Sequence, residues 1–504
     1  MSIRELPARP NLEHFKNQAR DLLREARSSD SAAQARFNAS GVTTAPQLAD
    51  ALHVIAREYG FSTWPALKLH IELASEDPIE ALIAAIKADN AALVRDVLGR
   101  HPSLRATINE PLPNYGFDAP AIFAAVNKQN REMVDALLDF GANVNERTRW
   151  WAGSFGVLDS ASPELAEHLI ARGAIVDIHA AARLNMPDRV RELLTADPQL
   201  VHAPGGDGQL PLHFASTIEI AKILLDAGAD INAEDIDHES TAAQYMVSIK
   251  PHRHDVAKFL ITRGAKTDIL MASALGDLAL VQDILNDDPD AIRITVTERY
   301  FPKRNPRAGG IIYIYGFGWT RSPHMIAQSF DHAEVFTLLM QRSPHSLRLI
   351  NAAEIGDETW FQRTLAAQPL TISKLTPNSA RRIIGVATRN NTRSMQWLLG
   401  AGWPATPVME TGHTALHFAA FHGNLEMVND LLAHHAPLEV VESEHGGTPL
   451  GWALYGSLHS WHPDQGDYPG VTEALLAAGA KIPEHSEPLK ATEEVLEVLR
   501  LHTA

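Results

Sequence analysis

Seven residues of this sequence have side chains and predicted loop positions that suit acid/base chemistry. Histidine titrates near neutral pH, and a nearby carboxylate can orient it or exchange a proton with it. If the protein is an enzyme, its acid and base groups are expected among Asp118, Asp207, His238, Glu239, His445, His459 and Asp464. Asp and Gly are also ordinary turn residues, so plain loops remain an open interpretation of the same positions.

Standard catalytic signatures do not accompany these residues. The chain has no G-x-S-x-G, no Walker loop and no H-E-x-x-H. The GGDG at 205–208 lacks a strand–loop–helix context, which predicts a turn rather than a phosphate cradle. We therefore favour a non-enzymatic binding protein without a cofactor. An enzyme that acts on a small organic substrate is the alternative.

Histidine is abundant, with 24 copies, whereas cysteine is absent. The absence of cysteine excludes disulfides, thiol catalysis and Cys–zinc sites. Zinc-binding histidines on one helix are spaced i, i+4, but His417 and His422 are five apart and would diverge by roughly 140°. We expect no metal site. A site at KPHRHD (250–255) would need ligands from other parts of the chain.

The formal net charge is −17, from 44 Lys and Arg against 61 Asp and Glu. Nucleic-acid affinity and attraction to anionic lipid both depend on basic groups, so we expect neither a nucleic acid nor a membrane as partner. The first 26 residues lack the apolar core of a secretory signal, and no run of about 18 apolar residues occurs. We expect a cytoplasmic protein.

The elements that must position these residues follow one repeated unit. The pattern apolar-x-x-apolar-apolar occurs twelve times, from VRDVL ending at Leu98 to TEALL ending at Leu476. Glycine often follows it, as in GANVN (141–145), where a helix end favours a left-handed residue. A second short helix precedes it, with openings such as QLPLHFA (209–215) and TALHFAA (414–420).

These motifs resemble ankyrin repeats, and the chain as a whole resembles a bacterial ankyrin-repeat protein. The resemblance implies an all-α, ankyrin-type solenoid of about twelve repeats over 77–488, interrupted by insertions at 106–118, 292–318 and 455–470. Residues 1–76 resemble the helical leader of some bacterial arrays, and 489–504 are expected to form a C-terminal cap helix. In this family the histidine of the T-x-L-H motif, here His213 and His417, is expected to hydrogen-bond neighbouring repeat turns.

The longest insertion differs in pattern from the helical repeats. Residues 292–320 have alternating β-branched and aromatic flanks around a centre that is rich in Pro, Gly and basic residues. This pattern predicts an inserted β-hairpin.

Binding residues are expected in the loops and insertions, where the chain departs from the repeat. Ankyrin arrays imply a protein or peptide partner on the concave face and inter-repeat loops, and a small-molecule ligand is the alternative. Trp, Tyr and Arg dominate interface energies. The candidate binding residues are Tyr115, Trp150, Trp151, His238, Tyr313, Tyr315, Trp319, Arg321, His445 and Trp461.

Overall fold

A computed structural model describes residues 4–7, 10–42, 46–73, 77–369, 375–482 and 489–503. Its chain divides into two compact units, Met1–Ala242 and Ala243–Ala504. Regular structure in the described ranges is helical, and extended pairing there is limited to two isolated bridges, Pro111 with Pro120 and Glu234 with Thr241. The protein is therefore all-α, as the repeat pattern predicts.

The first unit consists of short helices joined by tight turns. Its α-helices are α1 (Leu12–Arg27), α2 (Ser31–Ala39), α3 (Leu48–Glu58), α4 (Trp64–Leu73), α5 (Pro78–Lys87), α6 (Ala91–Arg100), α7 (Ala121–Asn127), α8 (Arg131–Phe140), α9 (Pro163–Ala171), α10 (Ile178–Arg183), α11 (Pro187–Ala196) and α12 (Ile218–Asp226). Its 3-10 turns are Pro102–Ala106, Gly116–Asp118, Val157–Asp159, Pro198–His202, Gly206–Gly208 and Pro211–Phe214.

The second unit continues the same pattern of short helices. Its α-helices are α13 (Ala242–Ser248, which starts at the last residue of the first unit), α14 (His254–Thr262), α15 (Ile269–Leu275), α16 (Leu278–Asp287), α17 (Tyr313–Gly316), α18 (Pro323–Ser329), α19 (Ala333–Arg342), α20 (His345–Ile355), α21 (Glu358–Ala367), α22 (Pro377–Thr388), α23 (Thr392–Gly400), α24 (Ala415–Phe421), α25 (Leu425–Ala433), α26 (Pro449–His459), α27 (Tyr468–Ala477) and α28 (Glu493–Thr503). Its 3-10 turns include Pro289–Arg293 and Pro463–Gln465.

The helix boundaries follow from local chemistry. Asp177 precedes α10, and Asp268 precedes α15. The carboxylate of each accepts the backbone N–H of the residue three positions further along the chain, which caps the helix. Side-chain oxygens at such positions satisfy N–H groups that the helix cannot pair itself. Gly141 ends α8 with a φ of 117°, a left-handed conformation that costs glycine little.

Helices of successive repeats pack into two rows, as the second unit illustrates. The first helices of successive repeats, α20, α22, α24 and α26, contact one another, and so do the second helices α23, α25 and α27. Small residues such as Ala419 and Ala420 are fully buried between the first helices, whereas Leu431 and Leu475 fill the space beneath the second helices. Each helix therefore buries one stripe against its neighbours, and no helix pair has a complete core alone.

Both ends of the chain have apolar clusters of their own. Helices α1–α4 bury Phe15, Leu22, Ile55 and Leu67 together. At the other end, Val495 and Leu499 of α28 pack on Leu454 and Tyr468 of the last repeat. These clusters are compatible with a leader at 1–76 and a cap helix at 489–504, although the exact boundaries stay predictions.

The β-hairpin that we predicted at 292–320 is wrong. The segment forms a 3-10 turn, an irregular loop and the short helix α17. Tyr313 and Phe317 alternate with other apolar residues in the sequence, but they are also i, i+4 neighbours, and their rings stack at 5.0 Å along one helical face. Gly316 lies against the carbonyl of Ser248, where a Cβ would approach within 2.3 Å. Burial of this helical face replaces the strand pairing.

Candidate functional site

The two T-x-L-H-type histidines connect successive turns, as the family resemblance implies. Nδ1 of His213 accepts the N–H of Leu210, and its Nε2 lies 3.0 Å from the carbonyl oxygen of Ser240. His417 repeats this arrangement with Thr414 and Gly447. Both rings are buried. These histidines are therefore part of the scaffold rather than acid/base groups.

His422 lies at the C-terminal end of helix α24, where a positive charge would be favourable, but its ring is not suited to carry one. Its Nε2 lies 2.9 Å from the carbonyl oxygen of Thr388, at the end of the first helix of the preceding repeat. Burial lowers the pKa of His422, which favours the neutral ring. This histidine therefore acts as another hydrogen-bond link between repeats.

The insertion at 455–470 forms an exposed aromatic patch, consisting of Tyr455, Leu458, His459 and Trp461. Helix α26 carries Tyr455, Leu458 and His459 of the patch. The equivalent helix α24 ends at Phe421, which corresponds to Tyr455, whereas α26 continues to His459. Tyr455 is 58% exposed, Leu458 40% and Trp461 61%. The Tyr455 and His459 rings lie 4.6 Å apart.

The aromatic patch is held rigidly by the preceding repeat. The Trp461 ring contacts those of Phe421 and His422, at 5.6 Å and 5.1 Å between centroids. The buried hydroxyl of Tyr468 lies 3.0 Å from the carbonyl oxygen of Phe421 and 2.6 Å from Oγ of Ser460. These contacts fix both ends of the segment that carries Trp461.

The paired tryptophans of the first unit are covered by their own chain. Trp150 makes an edge contact with Phe117 at 5.1 Å and another with Trp151 at 6.2 Å. Phe155 contacts Phe117 and lies on Gly206, where a Cβ would come within 2.1 Å of its ring. Both tryptophans are half-buried. Their burial therefore comes at least partly from the insertion that precedes α7.

The other predicted binding residues differ widely in exposure. Tyr115 is partly buried in the core of the first unit, and Tyr313 is fully buried with its hydroxyl 2.8 Å from Oδ2 of Asp268. Tyr315 and Trp319 are more than half exposed. Tyr313 is therefore a packing residue in this structure, whereas Tyr315 and Trp319 are available at the surface.

Arg321 lies in a group of arginines around one carboxylate. Glu354 is almost completely buried and pairs with Arg382 and Arg389. Burial lowers the pKa of Arg321, and the charge of Arg389 adds to this effect. The negative charge of Glu354 acts in the opposite direction on Arg321, so Arg321 lies within reach of a carboxylate that is paired with two other arginines.

Among the predicted acid/base residues, Asp207 and His238 lie together in the first unit. Their side chains approach to 3.6 Å, and both are buried. Glu239 follows directly and is half-buried, with a φ of 48°, whereas Asp118 is exposed. Asp237 was missed by the sequence reasoning, although it precedes His238 and contacts it at 3.7 Å.

In the second unit, the predicted residues His445, His459 and Asp464 are exposed, and the buried carboxylate beside His445 is a different residue, Glu442. Glu442 accepts the backbone N–H groups of Glu444, His445 and Gly447. Burial acts to raise the pKa of Glu442, but these N–H groups and the indole of Trp452 outweigh burial and lower the pKa to about 2. Glu442 therefore anchors this turn as a carboxylate at neutral pH.

Comparison with known protein families identifies the repeat. Residues 178–271 and 383–482 match the model for ankyrin repeats in three copies, and residues 119–149 match the single ankyrin repeat. The chain is therefore an all-α protein that contains ankyrin repeats, a repeat class that generally mediates protein–protein interaction.

Two curated relatives share parts of the chain. The serine/threonine-protein kinase VIK of Arabidopsis thaliana is 38% identical over 90 residues, or 16% of this chain and 20% of the kinase. Ankyrin repeat and SAM domain-containing protein 6 of Rattus norvegicus is 27% identical over 137 residues, or 27% of this chain and 15% of that protein. The chain thus matches a fifth or less of the length of these relatives. Within the described ranges, no helix has the length and apolar character needed to cross a bilayer.

Proposed function

We propose that this protein is a non-enzymatic binding scaffold that holds a segment of a partner protein through its inter-repeat loops and concave face, with the aromatic patch as its main anchor. The observation that carries this proposal is the exposure of Tyr455 and Trp461 on a segment that is fixed at both ends. Aromatic side chains lose little conformational entropy on binding, so a rigid exposed pair is well suited to an interface.

The surroundings of the patch indicate the chemistry of the partner. The insertion that bears Trp461 also exposes Asp464 and Asp467, and the whole chain has a net charge of −17. A complementary segment offers apolar side chains to Tyr455, Leu458 and Trp461 and Lys or Arg to the acidic rim. Such charge complementarity increases the association rate and excludes acidic competitors.

Peptide selection on the full chain tests this function. A random peptide library is panned against the intact protein, and selected peptides are measured by calorimetry. Peptides with an aromatic or aliphatic residue beside Lys or Arg are expected. Trp461→Ala should weaken them by roughly thirtyfold or more, the loss of a hot spot of about 2 kcal/mol.

The matched control is Leu48→Ala, which removes an apolar side chain, 40% exposed like Leu458, from helix α3 and away from the inter-repeat loops. It should leave peptide affinity unchanged. Failure to select any peptide, or equal binding by the wild type and the Trp461 variant, overturns the proposal.

The proposal also includes the number of repeats, the leader and the cap. Twelve apolar helix endings support about twelve repeats over 77–488 between a leader at 1–76 and a cap at 489–504. The bacterial assignment depends on the resemblance of the leader, whereas the two relatives named above are from a plant and a rat. A cytoplasmic location is part of the proposal as well.

A further inference from the structure

We propose that Asp207, Asp237 and His238 form a binding site for one divalent transition-metal ion, of which Zn²⁺ is the best fit. This site lies in the first unit and is independent of the aromatic patch. From the spacing of histidines on one helix we expected no metal site. The ligands proposed here come instead from two successive turns, to which that spacing argument does not apply.

The distances within this triad match metal coordination better than direct hydrogen bonding. Nε2 of His238 lies 3.6 Å from Oδ2 of Asp207 and 3.7 Å from Oδ2 of Asp237. Hydrogen bonds between such atoms are about 2.7–3.2 Å long. A tetrahedral Zn²⁺ with bonds of about 2.1 Å separates its ligand atoms by about 3.4 Å. One ligand atom from each of the three residues lies within 4.8 Å of the others.

All three side chains of the triad are buried, and one carboxylate oxygen among them has no donor. Asp207 is 8% exposed, Asp237 5% and His238 7%. Oδ1 of Asp207 is buried and has no hydrogen-bond partner among the described residues. A buried carboxylate oxygen without a donor is strongly unfavourable, and a metal ion held by the Asp207 carboxylate would offset this cost.

The backbone holds the ligands in place before any ion binds. The carbonyl oxygen of Asp207 accepts the N–H groups of Ile236 and Asp237, both at 3.0 Å, which joins the turn at 206–208 to the turn at 235–240. The carboxylate of Asp235 accepts the N–H groups of His238 and Ser240. Such supporting hydrogen bonds orient metal ligands in known sites.

An equivalent turn in the second unit shows that the scaffold does not require the triad. There Ser443 donates to the carbonyl of Thr411, and Glu442 takes the place of Asp235. Thr411, which cannot supply a carboxylate, stands in place of Asp207, and the ring of His445, in place of His238, is 73% exposed. The triad is therefore an addition to the ordinary turn.

A second group in the second unit, His413, Glu442 and Glu444, also meets the distance requirement. The oxygens of Glu442 are already occupied by backbone N–H groups, and Glu444 is exposed. We assign no site to this group.

The donor set selects the ion. One imidazole and two carboxylates suit Zn²⁺ or Mn²⁺, whereas Ca²⁺ requires six to eight oxygen ligands. Three protein ligands also leave a fourth position for water.

Titration calorimetry of the full-length, chelator-stripped protein tests the site, with ZnCl₂, MnCl₂ and CaCl₂ in separate arms. One Zn²⁺ per chain is expected, with weaker Mn²⁺ binding and no Ca²⁺ binding. Asp207→Asn and His238→Gln should each weaken Zn²⁺ binding by at least about tenfold, as expected when one of three ligands is lost. Asn suits position 207 because it tolerates the positive φ of 56° there.

The matched control is His445→Gln in the equivalent turn, which should bind Zn²⁺ like the wild type. Circular dichroism without metal checks that each variant folds. Co²⁺ added in place of Zn²⁺ should give the visible absorption of a four-coordinate site, and Asp207→Asn should abolish it. Absence of stoichiometric Zn²⁺ binding overturns the proposal. Unchanged Zn²⁺ binding and Co²⁺ absorption in both triad variants overturns it as well, because the ion would then be an adventitious ion only.

Discussion

Nε2 of His417 lies 3.2 Å from the carbonyl oxygen of Gly447, one repeat further along the chain. Nδ1 of the same ring accepts the N–H of Thr414, so the neutral tautomer with its proton on Nε2 satisfies both contacts. Protonation of Nδ1 would place two donors face to face. The link between these repeats therefore depends on a neutral imidazole.

This dependence predicts that the free energy of unfolding decreases as the pH is lowered. Burial lowers the pKa of His417 to about 4, whereas an unfolded histidine titrates near 6.5. Between these values the unfolded chain binds a proton that the native chain does not, so this stability is complete above pH 6.5 and is lost as the pH falls towards 4. At pH 5 the loss should be roughly 2 kcal/mol, from about 1.4 kcal/mol per pH unit.

Urea unfolding followed by circular dichroism at pH 5, 6 and 7 measures this effect. His417→Asn should flatten the slope, although His324, whose pKa burial lowers to about 3, will leave a residual slope of the same sign. The exposed His445→Asn is the control and should keep the wild-type slope. An unchanged slope in the His417 variant would contradict the prediction.

Removal of the charge of Glu442 should destabilise the turn that precedes α26. In Glu442→Gln an amide NH₂ replaces an oxygen that now accepts backbone N–H groups, so buried donors lose their acceptor. Hydrogen bonds to charged groups contribute about 1.5–3 kcal/mol each, and we expect a loss of about 3 kcal/mol in the free energy of unfolding. Glu444→Gln, on the exposed neighbour, should change it by less than about 0.5 kcal/mol. Equal losses in the two variants would show that the carboxylate does not anchor the turn.

Two glycines distinguish steric contact from backbone strain. A Cβ on Gly153 would lie 2.0 Å from the carbonyl oxygen of Gly205 and 2.7 Å from the nitrogen of Gly208. Gly153→Ala should therefore separate the two loops and cost at least about 3 kcal/mol, at the upper end for overpacking. Gly173 also has a positive φ, 96° against 152° at Gly153, but no atom lies within 4 Å of a Cβ built there. Gly173→Ala should therefore cost only about 1–2 kcal/mol. Thermal unfolding of both variants measures the difference, and a Gly153 variant as stable as the Gly173 variant would refute the contact.

The repeated helices were predictable from the sequence because their signals are local. Glycine after the second helix, aspartate before the first and the apolar spacing each act within a few residues, as Gly141 and Asp268 illustrate. The segment at 292–320 was misread because its tyrosines fit both a strand and a helical face, and burial of Tyr313 beside Asp268 decides between them. That contact joins residues 45 positions apart, and no local pattern reports it.

The candidate sites were predictable only in part. Trp461 is a predicted binding residue and is exposed, but Tyr455 was missed, although its signal is visible as an aromatic residue aligned with Phe421 at a helix end. Asp207 and His238 were named as separate acid/base candidates. Their meeting with Asp237 depends on hydrogen bonds between turns about thirty residues apart, which a single sequence does not display.

The charge of Glu354 should be essential to the packing of α20 on α22. Its carboxylate is 1% exposed and pairs with the guanidinium groups of Arg382 and Arg389. Loss of one partner leaves buried charges uncompensated, which typically costs about 3–5 kcal/mol. Glu354→Gln should lower the free energy of unfolding by this amount in urea titrations. Glu358→Gln breaks the solvent-exposed pair with Arg393 and should cost less than about 1 kcal/mol. If the two variants unfold at the same urea concentration, the buried arginines have another counter-charge and this account of the interface is wrong.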